Sequence, residues 1–145
     1  MTHDDTGHYA KKHPEGRKVD PRLAELLKGR ASNGELPCAV AFDIAAHLDT
    51  TPAEVGVAMD LLEIRIVKCQ MGLFGYRPRK SILKPPDRVP EALQEAIHES
   101  AAKEGRLSCK AAWDIAHRLK VGKMAVAAAC ETLGVKISAC QLGAF

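Results

Sequence analysis

The sequence predicts a mainly α-helical protein with short β-strands, built as two tandem copies of one unit. Three observations carry that expectation. The chain matches itself at a spacing of 71 residues, Gly34–Phe74 against Gly105–Phe145, without a gap. Apolar residues inside each copy recur at i, i+3, i+4, i+7, as on one face of a helix. The apolar content is mostly Ala, Leu, Val and Ile, with aromatics at only 4%, which favours helices.

The elements follow in order. Residues 1–20 balance in charge and read as a flexible polar arm, with a basic extension along DNA or over the first repeat as the alternative for "YAKKHPEGRK". A first amphipathic helix is expected over Pro21–Ala31, and its counterpart over Pro90–Lys103. Gly34 and Gly105 then mark a turn into the short extended pieces "ELPC" and "RLSC". The second helix carries Ala41, Ile44, Ala45 and Leu48, repeated as Ala112, Ile115, Ala116 and Leu119. A three-residue turn ("DTT" or "KVG") leads to a third helix. Thr51, Pro52 and Glu54 supply an N-cap, a first-turn proline and the acid of a capping box. The buried stripe of that helix is Val55, Ala58, Met59 and Leu62, matched by Val126, Ala129, Cys130 and Leu133. Gly134 suits the end of the second copy's third helix, where Glu63 stands in the first. The β-branched runs "IRIVKCQ" and "VKISACQ" read as strands. Each copy ends on a Cys-Gln-x-Gly-x-Phe signature, with Gly72 and Gly143 suited to a tight turn and Phe74 and Phe145 to core plugs.

The stretches "AFDIAAHLDTTPAEVGVAMDLLEIRI" and "AWDIAHRLKVGKMAVAAACETLGVKI" resemble the helix-turn-helix of bacterial and archaeal transcription regulators. The order of elements is similar to a winged helix. The resemblance implies two tandem winged-helix repeats, residues 21–76 and 89–145, joined by a basic wing or linker at 77–88. In the first copy "IRIVKCQ" and "SILKPP" would be the two wing strands, whereas the second wing is truncated.

The resemblance also implies duplex DNA as a partner, with the third helix in the major groove and the wing on the backbone. Base readout needs polar side chains on the outward face of that helix. Those positions are instead Ala53, Gly56, Val57, Asp60 and Glu63 in the first copy. In the second they are Met124, Ala127, Ala128 and Glu131. Binding through phosphates is therefore expected, from Arg65, Lys68, Arg77, Arg79, Lys80, Lys84, Lys110, Arg118, Lys120 and Lys123. A second reading is a protein-interaction module, or a homodimer, using Ala53, Gly56, Val57, Met124, Ala127 and Ala128 of the third helices.

Other chemistries have less support. Cys38 and Cys69 share the spacing of Cys109 and Cys140, and make candidate metal or redox pairs. No close Cys pair of the kind zinc sites favour accompanies them. His3, His8 and His13 at five-residue intervals do not share a helix face. No Gly-rich phosphate loop, G-x-S-x-G elbow or His-x-x-x-His pattern occurs, so neither an enzyme nor a cofactor is expected. No apolar run suits a membrane span or secretory signal, and the odd cysteine count suits reduced thiols. A cytoplasmic protein without a membrane partner is the expectation.

Overall fold

A computed structural model describes residues 9–14, 16–79, 81–101 and 105–145. Among them six α-helices and four three-residue strands alternate in two matching series. The first series is α1 (Pro21–Arg30), β1 (Glu35–Pro37), α2 (Cys38–His47), α3 (Pro52–Leu61) and β2 (Arg65–Val67). The second is α4 (Glu91–Ser100), β3 (Arg106–Ser108), α5 (Cys109–Leu119), α6 (Lys123–Leu133) and β4 (Lys136–Ser138). None of these helices is long and apolar enough to cross a membrane.

The helix ends follow local chemistry. Asp20 caps α1, its carboxylate accepting from the Arg22 N–H at 2.8 Å. Thr51 caps α3, its hydroxyl accepting from the Glu54 N–H at 3.1 Å. The carboxylate of Glu54 turns instead to Arg17, 3.2 Å away, so only half of the expected capping box carries over. Ser108 caps α5 through the Ala111 N–H. Gly134 ends α6 with φ +71°.

The backbone repeats as closely as the sequence does. Left-handed φ values recur at Gly34 and Gly105, Asp49 and Lys120, Glu63 and Gly134, Lys68 and Ala139, and Gly72 and Gly143. Four of these ten residues are side-chain-bearing partners at matched positions (Asp49, Lys120, Lys68 and Ala139), a conformation most L-residues avoid. The turn geometry is therefore a property of the unit, not of glycine alone.

The chain divides into two packing units, and the division does not follow the repeats. Unit 1 is Met1–Cys69 together with Gln141–Phe145, and unit 2 is Gln70–Cys140. The sequence repeats are bounded at 76 and 89, whereas the packing units are bounded at 69 and 140. The core of unit 1 holds Leu23, Leu27, Leu36, Ala41, Ile44, Ala45, Val55, Ala58, Met59 and Ile66, with Leu142 and Ala144. That of unit 2 holds Leu93, Ile97, Leu107, Ala112, Ile115, Ala116, Val126, Ala129, Cys130 and Ile137, with Met71. The expected stripes are buried as read, apart from half-buried Leu48, Leu62, Leu119 and Leu133.

The strands depart from expectation. β1 pairs with β2 in parallel, Leu36 opposite Ile66, and β3 pairs with β4 in parallel, Leu107 opposite Ile137. A parallel return needs a long crossover, and the two helices between the strands provide it. No strand forms at Ser81–Pro86, so the expected second wing strand is not found there. Lys68 turns to φ +50° directly after β2, and Pro85 and Pro86 lack the N–H a ladder needs. Instead the Gly72 carbonyl accepts from the Ile82 N–H at 3.0 Å and the Ser81 hydroxyl at 2.9 Å, closing residues 72–82 as a loop of unit 2. Phe145 is 44% exposed and no plug; Leu142 and Ala144 fill that role.

Candidate nucleic-acid interface

Charge segregates with the packing units. Unit 2 carries 12 Lys and Arg against 7 Asp and Glu, a net +5, whereas unit 1 carries 9 against 11, a net −2. Within unit 2, three of the acids (Glu91, Glu95 and Glu99) sit together on the exposed side of α4. The rest of the unit is correspondingly more basic.

The helix α5 explains where that charge lies. Its buried stripe is Ala112, Ile115 and Ala116, which leaves Lys110, Asp114, His117 and Arg118 exposed on the other side. Lys110, Asp114 and Arg118 fall at i, i+4 and i+8, so they stack along one edge. Lys110 lies 3.4 Å from Asp114. Lys120 follows at the C-cap, exposed, with φ +55°. Cations in this last turn also face the negative end of the helix dipole. The equivalent residues of unit 1 are Ala39 for Lys110, His47 for Arg118, Asp49 for Lys120 and Pro52 for Lys123. Core and turns are duplicated, but the basic edge belongs to unit 2.

Lys123 opens α6 and is half-buried. Its Nζ lies 3.7 Å from the centre of the Trp113 ring and donates to Gln70 Oε1 at 3.1 Å. A cation over an indole face is a favourable pair, so this lysine is engaged inside unit 2. Arg77, Arg79 and Lys84 are exposed on the loop leading to α4. Lys80 lies outside the described residues. Arg65 and Lys68, from β2 and the turn after it, belong to unit 1, half-buried and exposed respectively. The expected phosphate contacts therefore divide, two in unit 1 and the others in unit 2.

The middles of both third helices are buried. Gly56 is buried in α3, and a β-carbon there would overlap the Leu142 carbonyl oxygen and lie 2.6 Å from its carbonyl carbon. Ala127 and Ala128 are buried in α6, at 0% and 9% exposure. Of the six residues expected to form a partner face, Ala53 and Met124 are exposed and Val57 is half-buried.

Asp60 and Glu63, which look solvent-facing in the sequence, receive the N-terminal arm. Tyr9–Lys12 forms a 3-10 turn with Tyr9 buried. The Tyr9 and Ala10 N–H groups donate to the Glu63 carboxylate at 2.9 and 2.7 Å. Asp60 is 2% exposed, with Oδ2 at 2.7 Å from His13 Nε2 and 3.2 Å from Lys12 Nζ. The other oxygen, Oδ1, has no hydrogen-bond partner among the described residues. From Tyr9 to His13 the arm is therefore docked on the first repeat, the alternative its sequence offered to a free arm. Polar arms carry no periodicity, so the only sequence signal was the pair of acids placed against "YAKKH". His3 and His8 lie outside the described residues.

Each candidate thiol pair falls within one packing unit. Cys38 and Cys69 are buried in unit 1; Cys109 is buried and Cys140 half-buried in unit 2. Among the described residues no group of three or more His, Cys, Asp or Glu is placed to hold a metal ion. Burial pushes the Cys130 thiol up from 9.0 to about 11. A thiol held protonated stabilises the fold below its ordinary pKa and loses that contribution as pH rises through the folded value. Urea unfolding from pH 8 to 11 should therefore show wild type losing on the order of 2 kcal/mol more than Cys130→Ala, at 1.36 kcal/mol per pKa unit. Equal pH slopes would contradict the burial of this thiol.

No family model, curated protein or solved structure matches this chain.

Proposed function

We propose that the chain is a tandem winged-helix, transcription-regulator-like protein that grips duplex DNA by its phosphates through unit 2. The observation that carries this reading is the basic edge of α5, present in one copy of an otherwise duplicated unit. In a helix-turn-helix the first helix crosses the backbone and the second reads bases. Here α5 holds the position of the first, and its cations suit backbone contact. The helix α6 has Ala127 and Ala128 buried, where a groove-reading face would be open. Such a protein positions itself on DNA with little sequence preference. Arg79 and Lys84 on the loop before α4 extend the contact, taking the place of a stranded wing.

The test is binding of a generic duplex across a salt series, read by anisotropy. With about five phosphate contacts the log–log slope should be about −4.5, and affinity should fall roughly 500-fold between about 50 and 200 mM salt. Arg118→Gln with Lys120→Asn should reduce the slope by about 2; asparagine tolerates the left-handed turn at 120. No binding at low salt, or a flat salt response, would sink the proposal.

A further inference from the structure

The two Cys-Gln-x-Gly-x-Phe signatures pack away from the repeats that encode them. Gln141–Phe145 ends the second repeat but belongs to unit 1, and Gln70 onward ends the first repeat but belongs to unit 2. Each unit therefore contains a seat for such a peptide. In unit 1 the seat is the middle of α3. Leu142 and Ala144 are each 1% exposed. The backbone at Leu142 lies directly on Gly56, with no room for a β-carbon. Lys12 Nζ donates to the Gly143 carbonyl at 3.0 Å. In unit 2 the residues equivalent to Leu142 and Gly56 are buried likewise, Met71 at 1% and Ala127 at 0% exposure.

A seat formed by one stretch of chain and filled by a distant one resembles a receptor with a tethered ligand. We propose that the surface of α3 around Gly56 is a peptide-docking site that also accepts Gln141–Phe145 of a second copy, giving tail-exchanged dimers. The occupant is identified by the chain's own segment in that seat. Every contact of the exchanged state already exists in the monomer, so only the connection differs. Exchange of an identical element is a low-cost route to a dimer. The balance then depends on protein concentration against the effective concentration of the tethered segment, about millimolar for short flexible links. This inference does not depend on the DNA reading.

The test uses full-length chains. Isotope-labelled and unlabelled wild type, unfolded together and refolded at rising concentration, should give a mixed dimer of twice 15.7 kDa by native mass spectrometry. Leu142→Asp, which charges the buried side chain of the tail, should abolish that dimer. Gly56→Leu has a blocked seat and an intact tail, whereas Leu142→Asp has the converse. Mixed and refolded together, they should form a 1:1 complex that neither forms alone. Wild type that stays monomeric at every concentration overturns the proposal, whether or not the variants fold. So does a dimer that persists undiminished in Leu142→Asp.

Discussion

Replacing Gly56 with alanine should destabilise the protein by about 1–3 kcal/mol, the usual cost of forcing an extra methyl into a packed interior. Intrinsic propensity argues the other way, since alanine in a helix interior is favoured over glycine by about 1 kcal/mol. The two effects separate cleanly because α1 offers an internal control. Gly29 also lies in a helix, and a β-carbon there meets nothing within 4 Å. Gly29→Ala should therefore stabilise by about 0.5–1 kcal/mol, and Gly56→Ala should reverse the sign. At Gly56 the obstacle is the Leu142 backbone, not the end of a flexible side chain. Urea unfolding of the two variants measures the contrast. If both alanines stabilise, the close approach of Gln141–Phe145 to α3 is wrong.

A second large effect is expected at Asp60. Removing both of its side-chain partners with Lys12→Ala and His13→Ala leaves a carboxylate 3% exposed with neither the Lys12 ammonium nor the His13 ring beside it. Breaking buried pairs from one side costs about 3–5 kcal/mol. Because Lys12 and His13 are themselves 26% and 17% exposed, the lower end, about 3 kcal/mol, is the expected loss here. Adding Asp60→Asn to that double variant removes the stranded charge and should restore more than half of the loss. A thermodynamic cycle over wild type, Asp60→Asn, the double variant and the triple variant, read by urea unfolding, distinguishes this from simple loss of packing. Packing loss alone would leave the triple variant no more stable than the double. The position has no counterpart in unit 2, where the equivalent Glu131 is exposed.

Much of the fold was legible because it is local. The stripes of α2, α3, α5 and α6 follow from helical periodicity, the caps at Thr51 and Gly134 from residue chemistry, and the duplication from the 71-residue offset. Strand direction was not legible, since "IRIVKCQ" has the same alternation whether it pairs parallel or antiparallel. The crossing of the signatures could not be read for a sharper reason. Gln70–Phe74 and Gln141–Phe145 are close variants of one peptide, and their two seats are close variants of one surface. Nothing in either peptide states which seat it takes. Of the candidate site, the two cations of α5 were named from the sequence along with eight other positions, ten Lys and Arg candidates short of a geometry until burial sorted them. Asp60 and Glu63 were read only as acids on an outward face, because the arm that covers them has no periodic pattern of its own.

The membership of Gln141–Phe145 in unit 1 has a consequence for the order of folding. Unit 2 is one uninterrupted run of chain, Gln70–Cys140, whereas unit 1 is complete only when two stretches separated by that whole run come together. Closing so long a loop costs entropy that contacts within a run do not incur, and contacts distant in sequence slow folding. Unit 2 should accordingly form first and, once compact, shorten the span its host must close. In kinetic terms the continuous unit is the early event, and the closing of the tail onto the rest of unit 1 is the late one.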